Sequence, residues 1–284
     1  MLSRCCCGII VPQRSDNEDE RPKSVLRRPI DFGIVNTKRE GEHEVSSSSN
    51  DVDLYLDTSS VGGLHSAISN RLQPSNSLLS VSPFPEGVQP SAYSYIQYEN
   101  YSCQVSMALE ERLFLSDFWR DGVAFANGQT SSLEDTVMAI ERWVFQHCDL
   151  DQLQQLSFVE LQEKARIYDE GKEVEAQWTM YLDTMDKSSP ALFPFVEEAA
   201  KHTQLRLLFP YTSMNRFCLS RCTGYPYTTD IPFVEPLLDG SYDVRTHNGE
   251  LLGKGDASES VSLVIANLPP NCGPAVRGTS DSCL

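Results

Sequence analysis

Arginine, tyrosine and hydroxyl side chains crowd into one stretch of an otherwise acidic chain. From Phe209 to Tyr227 the sequence reads Phe-Pro-Tyr-Thr-Ser-Met-Asn-Arg-Phe-Cys-Leu-Ser-Arg-Cys-Thr-Gly-Tyr-Pro-Tyr. The guanidinium groups of Arg216 and Arg221 are planar forks that match a carboxylate or a phosphate. Hydroxyls at Ser213, Ser220 and Thr223 can complete an anion pocket beside them, and Tyr225 and Tyr227 add phenols. The expected ligand-binding set is Arg216, Ser220, Arg221, Tyr225 and Tyr227, and the expected ligand is a small anion, a peptide-like chain or a protein partner. If Arg216–Ser220 is a strand, Arg216 and Ser220 share a face and Arg221 points to the other unless a bulge intervenes. The competing reading is internal: fifteen acidic residues lie between Glu134 and Glu198 and offer both arginines partners within the fold.

Other reactive residues point to less. Cys218 and Cys222 are four apart and lack the tight Cys-x-x-Cys knuckle and second ligand pair of a zinc site, so no metal is expected. His147 and Cys148 are adjacent and diverge from a helix end, which is poor geometry for a nucleophile and its base. His43, His65 and His247 fall in polar stretches or a turn. No Walker-type glycine loop, Gly-x-Ser-x-Gly elbow, His-Glu-x-x-His helix or dinucleotide fingerprint is present, and no cofactor is expected.

The totals narrow the partners. The 284 residues carry a formal net charge of −17. Acidic groups number 13 against 9 basic ones before Cys103, and 27 against 14 from there on. Such a field repels nucleic acid and suits a soluble surface. Nine cysteines fit no disulfide framework. No signal peptide is visible, and no apolar run reaches the roughly 18 residues of a membrane span. A cytoplasmic setting is the expectation. Cys5, Cys6 and Cys7 stand beside Arg4 and are candidates for reversible acylation, which would add a peripheral membrane anchor.

These residues must be positioned by a fold, and the periodicity predicts one. Residues 1–100 are rich in Ser, Pro and charge and are expected to be mostly disordered. Leu64, Ile68 and Leu72 share a helical face there, too short for a stable lone helix. The tyrosines of residues 91–101 suit a strand leading into the folded part. A single α+β domain is expected over residues 101–270. Its first signal is a hairpin turning at Asp121-Gly122. A helix capped by Ser131 or Ser132 follows, with Leu133, Val137, Ile140 and Val144 on one face. Asp149–Leu156 and Phe158–Tyr168 read as short helices. Further helices carry Val174, Trp178, Tyr181 and Met185, then Phe193, Val196 and Ala199. The period then changes to two. Leu205–Phe209, Arg216–Ser220, Phe233–Leu237, Tyr242–Thr246 and Glu250–Gly253 are predicted strands, with Asp239-Gly240 and Asn248-Gly249 as turns. Asp256 and Glu259 form the capping box of a last helix. Residues 271–284 are expected to be a flexible tail. This segregation gives α+β, with helices packed on an antiparallel sheet.

The run Phe209-Pro210, Thr212-Ser213, Arg216-Phe217, Ser220-Arg221 and Tyr225-Pro226-Tyr227 resembles a bacterial domain-of-unknown-function family, numbered 6193. Gly128–Thr130 with the helix ending at Trp143, Val174-Glu175-Ala176 before Trp178, and Asp239-Gly240, Asn248-Gly249 and Leu252-Gly253 leading to Asn267-Leu268-Pro269 resemble it too. The resemblance spans roughly residues 103–270. Members carry a natural-product biosynthesis label, so it implies either an accessory or binding protein or a tailoring enzyme, with Arg221 holding a substrate carboxylate and Tyr225 or Tyr227 giving a proton. The family supplies no catalytic residues to carry over, and the long arm with Cys5–Cys7 departs from its usual form. A lipid-anchored adaptor is the third reading.

Overall fold

The structure, a computed structural model, describes residues 54–72 and 91–283. Cys5–Cys7, with the rest of residues 1–53 and residues 73–90, lie outside the described residues.

The fold is α+β, as the periodicity predicts, but its strands divide between two antiparallel sheets. The first is a five-stranded meander of β1 Tyr93–Tyr98, β2 Tyr101–Met107, β3 Phe114–Arg120, β4 Val123–Thr130 and β5 Val159–Leu161. Each strand alternates. Ile96, Cys103, Phe118 and Ala126 align on the buried face, while Tyr95, Gln104, Asp117 and Asn127 align on the other. The second sheet repeats the meander with β6 Phe209–Ser213, β7 Arg216–Ser220, β8 Phe233–Pro236, β9 Tyr242–Arg245 and β10 Leu251–Gly255.

Each sheet has its own helical cover. Helices α2 (Leu64–Leu72) and α3 (Leu133–Ile140) join the first core, and α3 runs on into a π-helical turn, Glu141–Phe145, that buries Trp143. Ser132 is the residue that caps α3, accepting the Asp135 amide at 3.1 Å. Over the second sheet lie α6 (Glu173–Ser188), α7 (Phe193–Ala199) and α9 (Ala257–Ala266), with Trp178, Phe195, Val261 and Val264 inward. Asp256 and Glu259 form their capping box on α9.

Four expectations are corrected. Phe158–Tyr168 is not one helix: β5 pairs with β4 at Gly128–Val159, and only Ala165–Asp169 (α5) is helical. Tertiary pairing overrides the local apolar pattern there. Leu205 lies in a short helix, Thr203–Arg206, so the strand begins at Phe209. The Leu64, Ile68 and Leu72 face is fully buried, and packing supplies what a nine-residue helix lacks alone. The last segment is hydrogen-bonded: Ala275 N–H donates to Leu207, and Val276 N–H to Arg221. Main-chain pairing leaves no mark in side-chain periodicity.

An ion pair fastens the helices that precede β1. Arg112 grips Asp57, in the short helix α1 (Leu56–Ser59), with two bonds of 2.8 Å. That hydrogen bond, reinforced by the charge of Arg112, holds the Asp57 carboxyl below its usual range. A depressed carboxyl pKa contributes stability above the unfolded value, near pH 4, and loses it as pH falls through the folded value. Both groups are about a third exposed, so screening limits the effect. Asp57→Asn is expected to cost less than about 1 kcal/mol at pH 7. The cost should be smaller at pH 3 in paired urea melts. An equal cost at both pH values would show that charge plays no part.

Candidate functional site

The Phe209–Tyr227 stretch folds as the β6–β7 hairpin and the loop that leaves it. Strict pairing from Phe209↔Ser220 to Ser213↔Arg216 sets the register. Phe217 and Leu219 therefore face the helices of the second sheet, and Arg216, Cys218 and Ser220 face away from them. Phe209 enters the other core, 6.3 Å from the Tyr168 ring. The hairpin thus has one aromatic anchor in each core.

Ser220 is fully buried and organises the loop after it. Its hydroxyl donates to the Cys222 carbonyl at 2.8 Å and accepts the amides of Cys222 (3.0 Å) and Thr228 (3.2 Å). The Thr228 hydroxyl accepts the Arg221 amide at 2.9 Å. These bonds satisfy backbone groups that would otherwise be buried unpaired. The loop includes a cis Tyr225–Pro226 bond.

The arginines do find internal partners, but not on the helices between residues 134 and 198. Strand β8 lies beside β7 with Phe217 opposite Val234, which sets Glu235 opposite Arg216. The pair is 3.8 Å apart, and the Arg216 guanidinium also lies 4.5 Å over the Phe233 ring. Arg221 meets Asp230 at 2.5 Å. That hydrogen bond raises the Arg221 pKa, while its Nε is buried with no hydrogen-bond partner among the described residues.

Asp230 opens onto a cleft of about 110 Å³. Its walls are the Thr229–Pro232 segment, Thr246 and His247 of the turn after β9, Leu252 of β10 and Asn267 past α9. His247 packs edge-on against Phe233 at 5.3 Å, so one phenyl ring carries both Arg216 and His247. Burial, and then the charge of Arg216, lower the His247 pKa. Arg216 and Asp230 both act on His247 and Asp230 holds Arg221, so a chain of contacts links the four, of which Asp230 and His247 line the cleft. Neither Asp230 nor His247 belonged to the expected set. They sit in a linker and a turn, where no periodic signal exists.

Tyr225 and Tyr227 belong to a different neighbourhood. Tyr227 stacks on Tyr211 at 4.3 Å and on Phe209 at 5.7 Å, and Tyr225 meets its edge at 5.9 Å. Tyr225 is half exposed, and its amide donates to the Gly122 carbonyl of the β3–β4 turn. Burial raises the Tyr211 pKa, which suits a packing role. The thiols are poor nucleophiles for the same reason. Burial pushes Cys218 up to about 11 and raises Cys148 and Cys222. His147 is stacked on Tyr101 at 4.2 Å. Among the described residues no cluster of three His, Cys, Asp or Glu is arranged to hold a metal ion, and no helix is long and apolar enough to cross a membrane.

Comparison with known proteins bears on the second sheet. Residues 172–279 match the model of a family of unknown function, DUF6193. The match runs from the start of α6 through the hydrogen-bonded end of the chain. It contains the whole Phe209–Tyr227 stretch and every residue of the cleft. It begins after the first sheet, so the similarity seen at Gly128–Trp143 lies outside it. No curated protein and no solved structure matches the chain.

Proposed function

We propose that this chain is a binding or accessory protein whose second sheet takes an anionic or peptide-like ligand at the cleft beside Asp230. The observation that carries this reading is a shallow cleft lined by Asp230 and His247, with Arg221 paired to Asp230 and Arg216 sharing the Phe233 ring with His247. The cleft volume, about 110 Å³, supports a binder over a tailoring enzyme. Sites that enclose small molecules are usually about 300–1,000 Å³. Tyr225 and Tyr227 pack on each other and on Tyr211 and do not line the cleft, which leaves it without the tyrosine proton donor of the enzyme reading. The family resemblance links such a role to natural-product biosynthesis, and the acidic, cysteine-containing chain suits an intracellular setting. Acylation at Cys5–Cys7 would add a membrane tether. An alkyne palmitate label that fails to mark the protein in cells would remove that tether.

The test is a thermal-shift screen of the full chain against small anions, amino acids, nucleotides and short acidic peptides. A ligand at about a hundred times its Kd adds roughly 2.7 kcal/mol. That corresponds to about 5–10 °C for a chain of this size. Arg221→Ala should abolish the shift. Asp230→Asn should enlarge it, because the guanidinium is released from its internal partner. Equal shifts in parent and Arg221→Ala would place the ligand elsewhere. No shift with any compound would leave the arginines structural.

A further inference from the structure

The end of the chain sits across the loop that follows β7 in the manner of a bound peptide. Five main-chain bonds hold it. Ala275 N–H donates to Leu207, Val276 N–H to Arg221, Thr223 N–H to Val276, Gly224 N–H to Gly278 and Ser280 N–H to Pro226, at 2.7 to 3.1 Å. Cys222 and Val276 form a parallel bridge. The side chain of Val276 remains half exposed. Main-chain recognition with outward side chains is the pattern of a peptide added to a strand edge.

One side chain is read. The Arg277 guanidinium donates to the carbonyls of Tyr168 and Asp169, the latter at 2.8 Å, at the end of α5. Its Nε lies 3.8 Å from Glu173, the first residue of α6. Glu173 is 95 % buried, accepts the Thr223 hydroxyl at 3.2 Å, and its second oxygen has no hydrogen-bond partner among the described residues. A buried carboxylate so placed favours a cation. The next residue, Gly278, has φ +114°, a conformation that suits glycine.

We propose that residues 207 and 221–226, with Glu173 and the end of α5, form a seat for an extended peptide carrying an Arg-Gly pair, and that the chain's own residues 275–280 are its exchangeable occupant. The seat adjoins the cleft beside Asp230 through Arg221, whose carbonyl accepts the Val276 amide while its guanidinium pairs with Asp230. An extended segment of another chain with the same pair would fit it by displacing the tail.

The test uses a fluorescent synthetic peptide of residues 273–282, titrated by anisotropy against the full chain and its Arg277→Ala variant. The variant is expected to bind the peptide. The parent should bind at least about tenfold more weakly, because its own tail competes at millimolar effective concentration. Replacing the arginine of the peptide with alanine should weaken binding by about tenfold or more. A folded Arg277→Ala chain that ignores the peptide overturns the proposal. Hydrogen exchange on the parent decides the matter if the variant does not fold. Amides of Thr223, Gly224, Val276 and Ser280 should exchange together and before those of β7. Exchange of these amides only through global unfolding would make the tail a fixed part of the fold and overturn exchangeability.

Discussion

Gly224→Val is expected to lower stability by about 3–5 kcal/mol, among the largest effects a single substitution produces. A Cβ at Gly224 would lie 1.7 Å from the Asp121 carbonyl oxygen and 2.9 Å from that of Gly278. Both obstacles are backbone, so neither can rotate aside. They belong to separate parts of the chain: Asp121 to the β3–β4 turn of the first sheet, Gly278 to the terminal segment. The Tyr225 amide donates to Gly122 at 3.1 Å, and the Gly224 amide to Gly278 at 2.9 Å. Three segments thus meet at one glycine, and a side chain there must part at least two of them. Gly240→Ala provides the contrast. That glycine has φ +82° but nothing within 4 Å of its Cβ. It should cost only about 1 kcal/mol, from backbone strain. Urea melts of both variants separate the cases. A Gly224→Val variant no less stable than Gly240→Ala would mean that the turn and the tail do not meet where they are placed.

What the sequence showed of this region depended on the kind of signal. Asp121-Gly122 announces a tight hairpin, and both residues take positive φ, 55° and 75°. Arg216–Ser220 is a strand with the expected bounds, because alternation of a bulky apolar and a polar residue needs only local information. The capping box at Asp256 is local too. Assignment of strands to two sheets is not local: β5 and β7 present similar apolar character, yet one pairs with β4 and the other with β6. The arginines were legible as residues but not in their surroundings. Their partners Glu235 and Asp230 follow from how β8 returns beside β7, and a count of acids on distant helices pointed elsewhere. Ser220 appeared as a ligand hydroxyl because its burial depends on the loop folding back over it. The tail was invisible for the same physical reason: its bonds are between main-chain groups, which every residue except proline carries alike.

Phe217→Ala is the second large effect, about 3–5 kcal/mol. Phe217 is 1 % exposed. Its ring lies 5.8 Å from Trp178, 5.9 Å from Tyr181 and 5.7 Å from Phe195, so it is the point where β7 meets both α6 and α7. Trp178 is itself fixed, its indole N–H donating to the Leu208 carbonyl at 3.0 Å. That bond is to the residue just before β6, and it prevents the tryptophan from moving into a space left by the phenylalanine. A cavity that cannot collapse gives the upper part of the expected range. Phe217→Leu keeps most of the volume and should cost roughly 1–2 kcal/mol. The comparison also bears on binding. Arg216 adjoins Phe217 in β7 but points to the opposite face, over the Phe233 ring that His247 also meets. Phe217→Leu should therefore lower the melting temperature while leaving ligand shifts like those of the parent, whereas Arg216→Ala should weaken the shifts and leave the melting temperature almost unchanged. If Phe217→Leu abolished ligand shifts while the chain stayed folded, the separation of packing face from binding face along β7 would be wrong.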